Sequence, residues 1–373
     1  MATERLILSL NCGSSSLKFG VYRVTAKDPE LVCQGEAEEI GRPNSSFWFK
    51  HGGVKDQQQA AYADHGEALT QALKLLEQQR INQFWKAGHR VVHGGPQVRE
   101  HQALTPQVLA KLQAAVPFAP LHLPASLQVI TAISCKMPDL PQVICLDTAF
   151  HRSMPDVAKT FALPAEVRQE GVERYGFHGL SLESILAQLK PVPDKLVVAH
   201  LGNGSSITAI RKGKSIDTSM GLTPTGGVMM GTRVGDLDPG VMIFLERHGF
   251  AQADAMEDLV NRKSGLLGVS GTSSDVRQLL ESRESAAADL ALRMFCYQVR
   301  KTIAAMAGAL GGLDLLVFTG GIGEHAEELR REICELLQWM SAFETRVLPA
   351  QEDIQIARIA VACAPRTKVD FLR

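Results

Sequence analysis

Three features are scarce in this sequence, and each scarcity excludes a class of protein. No charge dominates, because 39 basic and 40 acidic side chains leave a net charge of −1, so neither nucleic acid nor an anionic membrane is indicated as the main partner. The seven cysteines contain no CxxC pair, which argues against structural zinc and against a disulfide framework. No apolar run approaches the roughly 20 residues that a membrane helix needs.

What the chain has in quantity is typical of a globular protein. Its 373 residues are too many for one ordinary core, so two domains are expected. The apolar share is 45% and the charged share is 21%, a balance that globular proteins commonly have. The apolar run at residues 6–10 is too short for the core of a signal peptide. Together with the scattered cysteines, this favours a cytoplasmic protein with reduced thiols.

Two short polar turns, each between apolar strands, recur far apart in the chain. Strands are predicted at residues 6–10 and 17–24 around the first turn, and at 195–201 and 207–211 around the second. Both turns contain Gly and consecutive Ser residues. This recurrence predicts a duplicated domain with one hairpin opening each half. The alternative is chance, since short Gly/Ser turns are common.

Further elements follow from apolar periodicity and capping residues. Helices are predicted at 65–80, from Thr105 onwards, and at 286–310, where two glycines follow as a stop signal. The segment 141–146 reads as a buried strand that delivers Asp147 at its carboxyl end.

Near the C-terminus, a strand at 315–318 runs into the glycine-rich segment 319–324, predicted to be a loop, and then into a helix from about 326 to 340. Strand, glycine-rich loop and helix together bring backbone N–H groups close to a nucleotide. The last predicted helix covers 351–363.

The first polar turn concentrates hydrogen-bond donors. Serines at 14–16 supply hydroxyls, Asn11 an amide and Lys18 a cation, and Gly13 permits a tight backbone with exposed N–H groups. Such a turn can hold phosphate oxygens through several donors at once. The alternative is an ordinary polar β-turn with a solvated lysine. The GxxxxGK[ST] pattern of a Walker A loop is absent, and a strand follows instead of a helix.

Two arginines lie in glycine-rich surroundings. Arg90 lies beside a short apolar run in segment 88–95, and Arg233 lies in a loop at 221–240. Guanidinium groups suit bidentate binding of carboxylate or phosphate, and a binding role explains a loop so rich in Gly and Pro. Arg90 alone would more often be a surface ion-pair residue.

Several histidines and one aspartate add to these candidates. His122, His178 and His200 each stand near glycine or proline, but a single histidine is more often a core or surface residue than a catalytic one. No two of them have ligand spacing on one helix, so zinc binding is not indicated. Asp147 can position magnesium or substrate, or it can cap a helix.

Taken together, these motifs resemble those of the acetate kinase family along nearly the whole chain. The segments that carry the resemblance are NCGSSSLK (11–18), GHRVVHGG (88–95), APLHLP (119–124), LDTAFH (146–151), YGFHG (175–179), HLGNGSS (200–206), DTSMGLTPTGGVMMGTRVGDLDP (217–239) and FTGGIGE (318–324). Eight ordered motifs are far more specific than any one of them.

The resemblance implies an α/β fold of duplicated actin-like, ribonuclease H-like domains with an interdomain nucleotide cleft. The first domain would comprise 1–150 plus 350–373 and carry the first phosphate hairpin. The second, 151–349, would bind the nucleotide and form a homodimer. The implied activity is reversible, direct in-line transfer of the γ-phosphoryl group of ATP to acetate, giving acetyl phosphate and ADP. Mg²⁺ or Mn²⁺ would be the cofactor.

The resemblance also implies roles for individual residues. Catalytic roles fall to Arg90, Asp147, His178 and Arg233; acetate binding to Arg90, Val92, Leu121, Phe177 and Pro224; phosphate or nucleotide binding to Ser14, Ser16, Lys18, His122, His200, Asn203, Gly204, Asp275, Val276, Arg277, Gly321, Ile322 and His325; and metal binding to Asn11 and Glu352. The sequence departs from the family's usual residues at Leu123, Val276, His325 and Asp353, so nucleotide contacts are expected to differ.

Elementary chemistry agrees with this distribution. A carboxylate is already ionised at neutral pH, so the reaction needs no strong general base. It needs alignment and neutralised charge, which two arginines, a histidine and magnesium can supply. Because acetate is small, specificity must depend on pocket volume, and Val92 is bulky enough to disfavour longer acids.

Three alternatives stay open at this point. A propionate or butyrate kinase of the same fold would carry the same motifs. A non-catalytic actin-like module would bind nucleotide only, although it would not need both Arg90 and Arg233. A sugar kinase would need a carboxylate base aimed at a hydroxyl, a role that Asp147 could fill.

Overall fold

A computed structural model describes residues 4–249, 252–340 and 342–363. The chain divides into two compact units: unit 1 comprises Met1–Ala149 and Gln351–Arg373, and unit 2 comprises Phe150–Ala350. Of the expected first domain, residues 1–3 and 364–373 lie outside the described residues. Among the helices that are described, none is both long and apolar enough to cross a membrane.

Unit 1 is built on an eight-stranded sheet with the order β5-β4-β3-β2-β1-β6-β8-β7. Its strands are β1 Leu6–Cys12, β2 Leu17–Arg23, β3 Glu30–Glu38, β4 Ser46–His51, β5 Val54–Gln59, β6 Lys86–Val91, β7 Gln102–Ala103 and β8 Gln142–Leu146, and its first helices are α1 His65–Gln78, α2 Pro106–Ala114 and α3 Leu123–Lys136. The predicted first hairpin, the helix near 65–80 and the strand before Asp147 are confirmed.

Helix starts in unit 1 follow local capping chemistry. Asp64 precedes α1 and accepts a hydrogen bond from the Glu67 backbone N–H at 3.0 Å. Thr105 precedes α2, accepts from the Val108 N–H at 3.1 Å, and is followed by Pro106. These side chains satisfy N–H groups that the first helical turn leaves unpaired. The helix start predicted at Thr105 is therefore confirmed.

Unit 2 is built on a five-stranded sheet with the order β11-β10-β9-β12-β13. Its helices and strands, in chain order, are α4 Asp156–Lys159, α5 Ala165–Gln169, α6 Gly179–Gln188, β9 Lys195–Leu201, β10 Ser205–Arg211, β11 Lys214–Thr218, α7 Pro239–Arg247, α8 Ala253–Arg262, α9 Gly265–Ser270, α10 Val276–Glu281, α11 Ala286–Leu310, β12 Leu315–Thr319, α12 Gly320–His325, α13 Glu327–Glu335 and β13 Glu344–Val347. Apolar side chains of α11 fill the core beneath the sheet.

The two units repeat one strand plan. In unit 1, β1 pairs with β2 antiparallel and with β6 parallel, and β6 pairs with β8 parallel. In unit 2, β9 pairs with β10 antiparallel and with β12 parallel, and β12 pairs with β13 parallel. A third antiparallel strand, β3 or β11, extends each hairpin. This repeat is the duplication that the paired hairpins predict.

Two sequence predictions near the C-terminus need correction. The glycine-rich segment after β12 is the short helix α12 and not a loop, and Glu324 Oε1 closes its first turn by accepting from the Gly320 N–H at 3.0 Å. The following helix ends at Glu335 and not near 340. Two tighter turns follow, in which the Leu337 N–H donates to the Cys334 carbonyl oxygen and the Met340 N–H donates to the Leu337 carbonyl oxygen. Leu337 is buried in the core of unit 2.

The final helix, α14 Glu352–Ala362, packs on the sheet of unit 1 against β1, β6 and β8. Gly88 allows the close approach, since a Cβ atom there would lie 2.6 Å from Ile356 Cγ2. The buried Lys86 ammonium donates to the carbonyl oxygens of Ala360, at 2.9 Å, and Cys363, which satisfies the carboxyl end of the helix. The predicted C-terminal helix is confirmed.

Side-chain alternation along β1 directs polar groups toward α14. Leu8 and Leu10 belong to the core that contains residues of α1 and α3. Ser9 and Asn11 point to the other face, where Ser9 Oγ donates to the Asp353 backbone oxygen at 3.0 Å. The start of α14 therefore lies beside the carboxyl end of β1.

Candidate active site

In unit 1, the Arg90 guanidinium lies in a hydrogen-bonded network at the carboxyl ends of β1, β6 and β8. Its Nε and one Nη2 N–H donate to Asp147 Oδ2 at 2.9 and 2.7 Å, and its Nη1 donates to Asn11 Oδ1 at 3.0 Å. A guanidinium has five N–H donors, so these three bonds leave one N–H on each terminal nitrogen. The side chain is thus held in place and can still bind an anion.

Carboxylates surround this guanidinium. Asn11 Nδ2 donates to Glu352 Oε2 and to Asp353 Oδ1, both at 3.1 Å. Burial would lower the pKa of Arg90, but the charges of Asp147 and Glu352 raise it above its ordinary value, so the guanidinium stays charged. Burial raises the pKa of Asp353, and Glu352 adds to this shift. Sequence analysis did not assign a role to Asp353.

Asp147 carries an unsatisfied oxygen. The residue is buried, and its Oδ1 has no hydrogen-bond partner within the described part of the chain. Burial raises the pKa of this carboxyl, and Arg90 opposes the shift. A buried acceptor without a partner is costly, and a cation or a metal-bound water would satisfy it.

The residues of unit 1 fit a magnesium ion that keeps several waters. Asp147, Glu352 and Asn11 offer the hard oxygen donors that Mg²⁺ prefers. Across residues 4–249, 252–340 and 342–363, no three His, Cys, Asp or Glu side chains form a group able to hold a metal alone. Mg²⁺ typically binds through one or two carboxylates plus water and substrate phosphates, so this sparse donor set suits it.

The remaining candidates of unit 1 lie on β2 and in segments next to β1, β6 and α3. Ser14 and Ser16 lie in the turn between β1 and β2, and Lys18 on β2 pairs with Glu36 at 3.6 Å. Val92 is buried directly after β6. Leu121 and His122 immediately precede α3 and are half-buried.

In unit 2, two candidate histidines stack face to face. The ring centroids of His178 and His200 lie 4.1 Å apart at an interplanar angle of 21°. His178 Nδ1 is 2.9 Å from Ser206 Oγ, and His200 Nδ1 is 2.9 Å from Ser181 Oγ. Both serines are fully buried. They orient the two rings. Neither serine was assigned a role from the sequence, although Ser206 ends the motif HLGNGSS.

The second hairpin turn brings Arg233 to this histidine pair. A Cβ atom on Gly204 would lie 3.2 Å from His178 Nε2 and 3.3 Å from Arg233 Nη1. Arg233 Nη1 also donates to the Pro224 carbonyl oxygen at 3.1 Å. Five predicted site residues are therefore close together around the hairpin turn of unit 2: His178, His200, Gly204, Pro224 and Arg233.

His151 fixes the backbone before His178. Its Nε2 hydrogen-bonds to the Phe177 carbonyl oxygen at 2.9 Å, and its Nδ1 is 2.9 Å from Ser215 Oγ. A Cβ atom on Gly176 would lie 2.6 Å from His151 Cγ, so only glycine permits this packing. Burial lowers the pKa of His151 to about 4. His151 belongs to one of the motifs but received no role from the sequence.

The nucleotide candidates form two further groups in unit 2. Asp275 caps α10 and forms an ion pair with Arg277 at 2.7 Å, and Val276 between them is buried. Gly321, Ile322 and His325 lie on α12, and a Cβ atom on Gly202 would lie 3.8 Å from the Gly321 nitrogen.

A third close approach involves the hairpin turn that contains Asn203. A Cβ atom on Gly231 would lie 3.5 Å from Ser274 and 3.8 Å from the Asn203 oxygen. Glycines thus keep these segments close.

The chain is similar in sequence to known proteins over most of its length. The pattern of the acetokinase family matches residues 6–357. The chain is 41% identical to the acetate kinase of Rhodopseudomonas palustris, over 95% of this chain and 97% of that protein. It is 40% identical to the acetate kinase of Bacteroides thetaiotaomicron, over 90% of this chain and 87% of that protein.

Solved structures share the fold. The acetate kinase of Porphyromonas gingivalis superposes with a TM-score of 0.85 at 35% identity, covering 96% of this chain and 99% of that one. A propionate kinase from Francisella tularensis gives a TM-score of 0.90 at 33% identity, covering 96% and 100%. These likenesses confirm the expected α/β, duplicated actin-like fold.

Proposed function

The chain belongs to the acetokinase family, and from that membership we infer that it is an acetate kinase. It transfers the γ-phosphoryl group of ATP to acetate, reversibly, giving acetyl phosphate and ADP. The structural observation that carries this inference is the Arg90 guanidinium, which is fixed by Asp147 and Asn11 and retains an N–H on each terminal nitrogen. A planar pair of donors matches a carboxylate.

In the proposed mechanism, an acetate oxygen attacks the γ-phosphorus in line as the bond to the leaving ADP oxygen breaks. Arg90 binds the carboxylate and orients the attacking oxygen. Serines 14 and 16 and Lys18 donate to the transferring phosphoryl group. Because acetate is ionised already, no protein group needs to remove a proton. Alignment and charge compensation supply the acceleration.

For unit 2, we propose that Arg233 and His178 stabilise charge on the phosphoryl oxygens. Their closeness to Gly204 supports this role, since both are cations or donors next to a glycine that presents no side chain. His200, stacked on His178, and His122 of unit 1 would contact phosphate groups. Ser206 holds the Nδ1 side of His178, which leaves the Nε2 side toward Gly204 and Arg233.

Magnesium is the proposed cofactor, held by Glu352 and Asn11 with Asp147 nearby; Mn²⁺ is the alternative ion. The unsatisfied Oδ1 of Asp147 supports a cation or its water at this place. The ion would neutralise phosphate charge during transfer. In the described structure Asn11 Oδ1 accepts from Arg90, so this amide links the carboxylate-binding arginine to the proposed metal residues.

The remaining nucleotide contacts are proposed for unit 2. Asn203 and Gly204 would hold phosphates through the hairpin turn. The adenosine would lie against the capped start of α10, residues 275–277, and against α12 with Gly321, Ile322 and His325. Close approach of α12 to the hairpin turn supports one nucleotide contacting both.

We propose acetate as the preferred acid. Val92, Leu121, Phe177 and Pro224 would bind its methyl group, and the bulk of Val92 limits the room for longer chains. The solved propionate kinase of the same fold makes propionate the alternative acceptor.

We also propose that the protein is a homodimer formed through unit 2 and that it lies in the cytoplasm. Helix α7 supports the dimer, because none of its described side chains is buried although it contains Val241, Ile243 and Phe244. Such an exposed apolar face is typical of an interface.

An acyl phosphate assay tests the function. The protein is incubated with ATP, Mg²⁺ and acetate, and acetyl phosphate is trapped as the hydroxamate while ADP is measured in parallel. Equal amounts of both products are expected, and neither without acetate. If the protein binds ATP but makes no acyl phosphate from acetate, propionate or butyrate, it is a nucleotide-binding module and not a kinase of these acids. ADP release with sugars alone would indicate a sugar kinase.

A further inference from the structure

The turn between β1 and β2 uses its carbonyl groups in internal hydrogen bonds. Ser16 O accepts from the Gly13 N–H at 2.8 Å, and Ser15 O accepts from the Ile40 N–H at 2.9 Å. Gly13 O lies 3.1 Å from Nε2 of His65, a residue 52 positions along the chain. The carbonyl oxygens of Gly13, Ser15 and Ser16 are therefore occupied by groups of unit 1.

His65 is built into this position by the start of α1. It is the first residue of the helix, immediately after the capping Asp64, and it is buried. A carbonyl oxygen only accepts, so His65 Nε2 must carry the hydrogen. Burial lowers the pKa of the imidazole, opposed by Gly13, Asp64 and Ser16, and the neutral ring can donate from Nε2. The carboxylate of Asp64 is the charge that acts on this ring.

The donors of Ser14 and Ser16 in the same turn are left unused. Within the described residues, neither Ser14 nor Ser16 donates a hydrogen bond from its hydroxyl or its N–H. An anion site requires donors that converge and carbonyl oxygens that point elsewhere, because a carbonyl dipole repels a phosphate oxygen. Holding Gly13 O against His65 keeps one such dipole directed into unit 1.

We propose that His65 is a positioning residue for phosphoryl transfer: its Nε2–H holds Gly13 O away from the phosphate, so that Ser14 and Ser16 present their donors to it. The inference rests on the proposed role of these serines in the kinase reaction. His65 itself does not touch the substrate. It acts through the backbone of the turn, as an outer partner fixes the orientation of a ligand-binding group.

A matched pair of variants separates the donor from the shape of the side chain. His65→Gln retains an N–H donor on a side chain of similar reach, and His65→Met has the length of Gln without a donor. Both are measured with ATP, Mg²⁺ and acetate, for kcat and for the KM of each substrate. Circular dichroism and thermal melting check folding. If the Met variant does not fold, His65→Leu replaces it, because leucine also has no donor.

We expect the Met variant to lose about tenfold to a hundredfold in kcat, the usual effect of removing an outer orienting partner, with the KM for ATP changed by less than about threefold. The Gln variant should regain activity to within about threefold of the wild type. A purely structural histidine would lower the melting temperature in both variants without this separation.

Three results would overturn the proposal, and they differ in meaning. An active wild type with an equally active, folded Met variant refutes the role of His65 alone. Equal loss in folded Gln and Met variants refutes it as well, because the donor would then be irrelevant. A wild type that makes no acyl phosphate refutes the kinase function and this role together.

Discussion

Arg90 shows how a single residue is prepared for its ligand before the ligand binds. Three of its five N–H groups donate to Asp147 and Asn11. These bonds restrict the rotamers of the side chain, so substrate binding does not have to do so. The partners of this network raise the pKa of the guanidinium, so its charge is independent of pH in the range where proteins fold. Lysine has no planar fork and could not reproduce both bonds.

At the same scale, Val92→Ala tests the proposed acyl pocket. Removing two methyl groups should admit a longer acid, so kcat/KM for propionate relative to acetate should rise about tenfold, the effect of roughly one methylene in a tight pocket. The matched control is Val91→Ala. Val91 is also buried but belongs to the core of unit 1, so this variant should lose stability and keep the ratio. An unchanged ratio in the Val92 variant would remove Val92 from the pocket.

At the scale of helices and strands, the sequence predicts the elements whose apolar residues repeat in a strong pattern. The two hairpins, α11 and α14 are of this kind, because their buried faces repeat regularly. Strand β5, with the sequence VKDQQQ, is exposed throughout, and β13 is likewise exposed. A strand that buries no side chain leaves no alternation to detect. Helix α12 was missed because its glycines favour loops.

The candidate site shows the same limit in another form. Ordered motifs identify Arg90, His178 and Arg233 from the sequence. The partners that orient them do not follow from spacing, because Arg90 and Asp147 are 57 residues apart and Asn11 and Glu352 are 341 apart. Ser206 ends one of the motifs but received no role from it, and Ser181 and His65 belong to no motif. Their roles depend on which strands and helices the fold makes neighbours.

Helix α7 allows a test of the proposed dimer. Phe244 is 56% exposed on this helix, and Trp339, outside α7 in unit 2, is 74% exposed. If α7 forms the interface, Phe244→Glu should bury a charge against apolar surface and convert the dimer to monomers. Trp339→Glu is the matched control and should leave the mass unchanged. Light scattering after size-exclusion chromatography measures both. A monomeric wild type, or dissociation only in the Trp339 variant, would contradict this assignment.

For the whole molecule, buried histidines make stability depend on acid. Burial lowers the pKa of His89 in unit 1 and of His151 in unit 2 to about 4 each. In the unfolded chain a histidine has a pKa of about 6.5. Between these values the unfolded chain binds a proton that the folded chain does not, so lowering the pH favours unfolding. Both units should therefore lose stability from about pH 6.5 down to pH 4.

His89 is the more useful of the two for a test, because its Nε2 makes no hydrogen bond in the part of the chain that is described. Its protonation should cost about 3 kcal/mol of unfolding free energy by pH 4. His89→Gln removes this titration, so the free energy of unfolding should fall less steeply with acid, by up to about 1.4 kcal/mol per pH unit. Urea unfolding at several pH values measures the difference from the wild type.

Buried carboxyls such as Asp147 and Asp353 have raised pKa values and act in the opposite direction, but they are common to both proteins and cancel in the difference. Parallel curves from pH 7 to pH 4 would show that His89 is protonated as readily in the folded protein as in the unfolded chain.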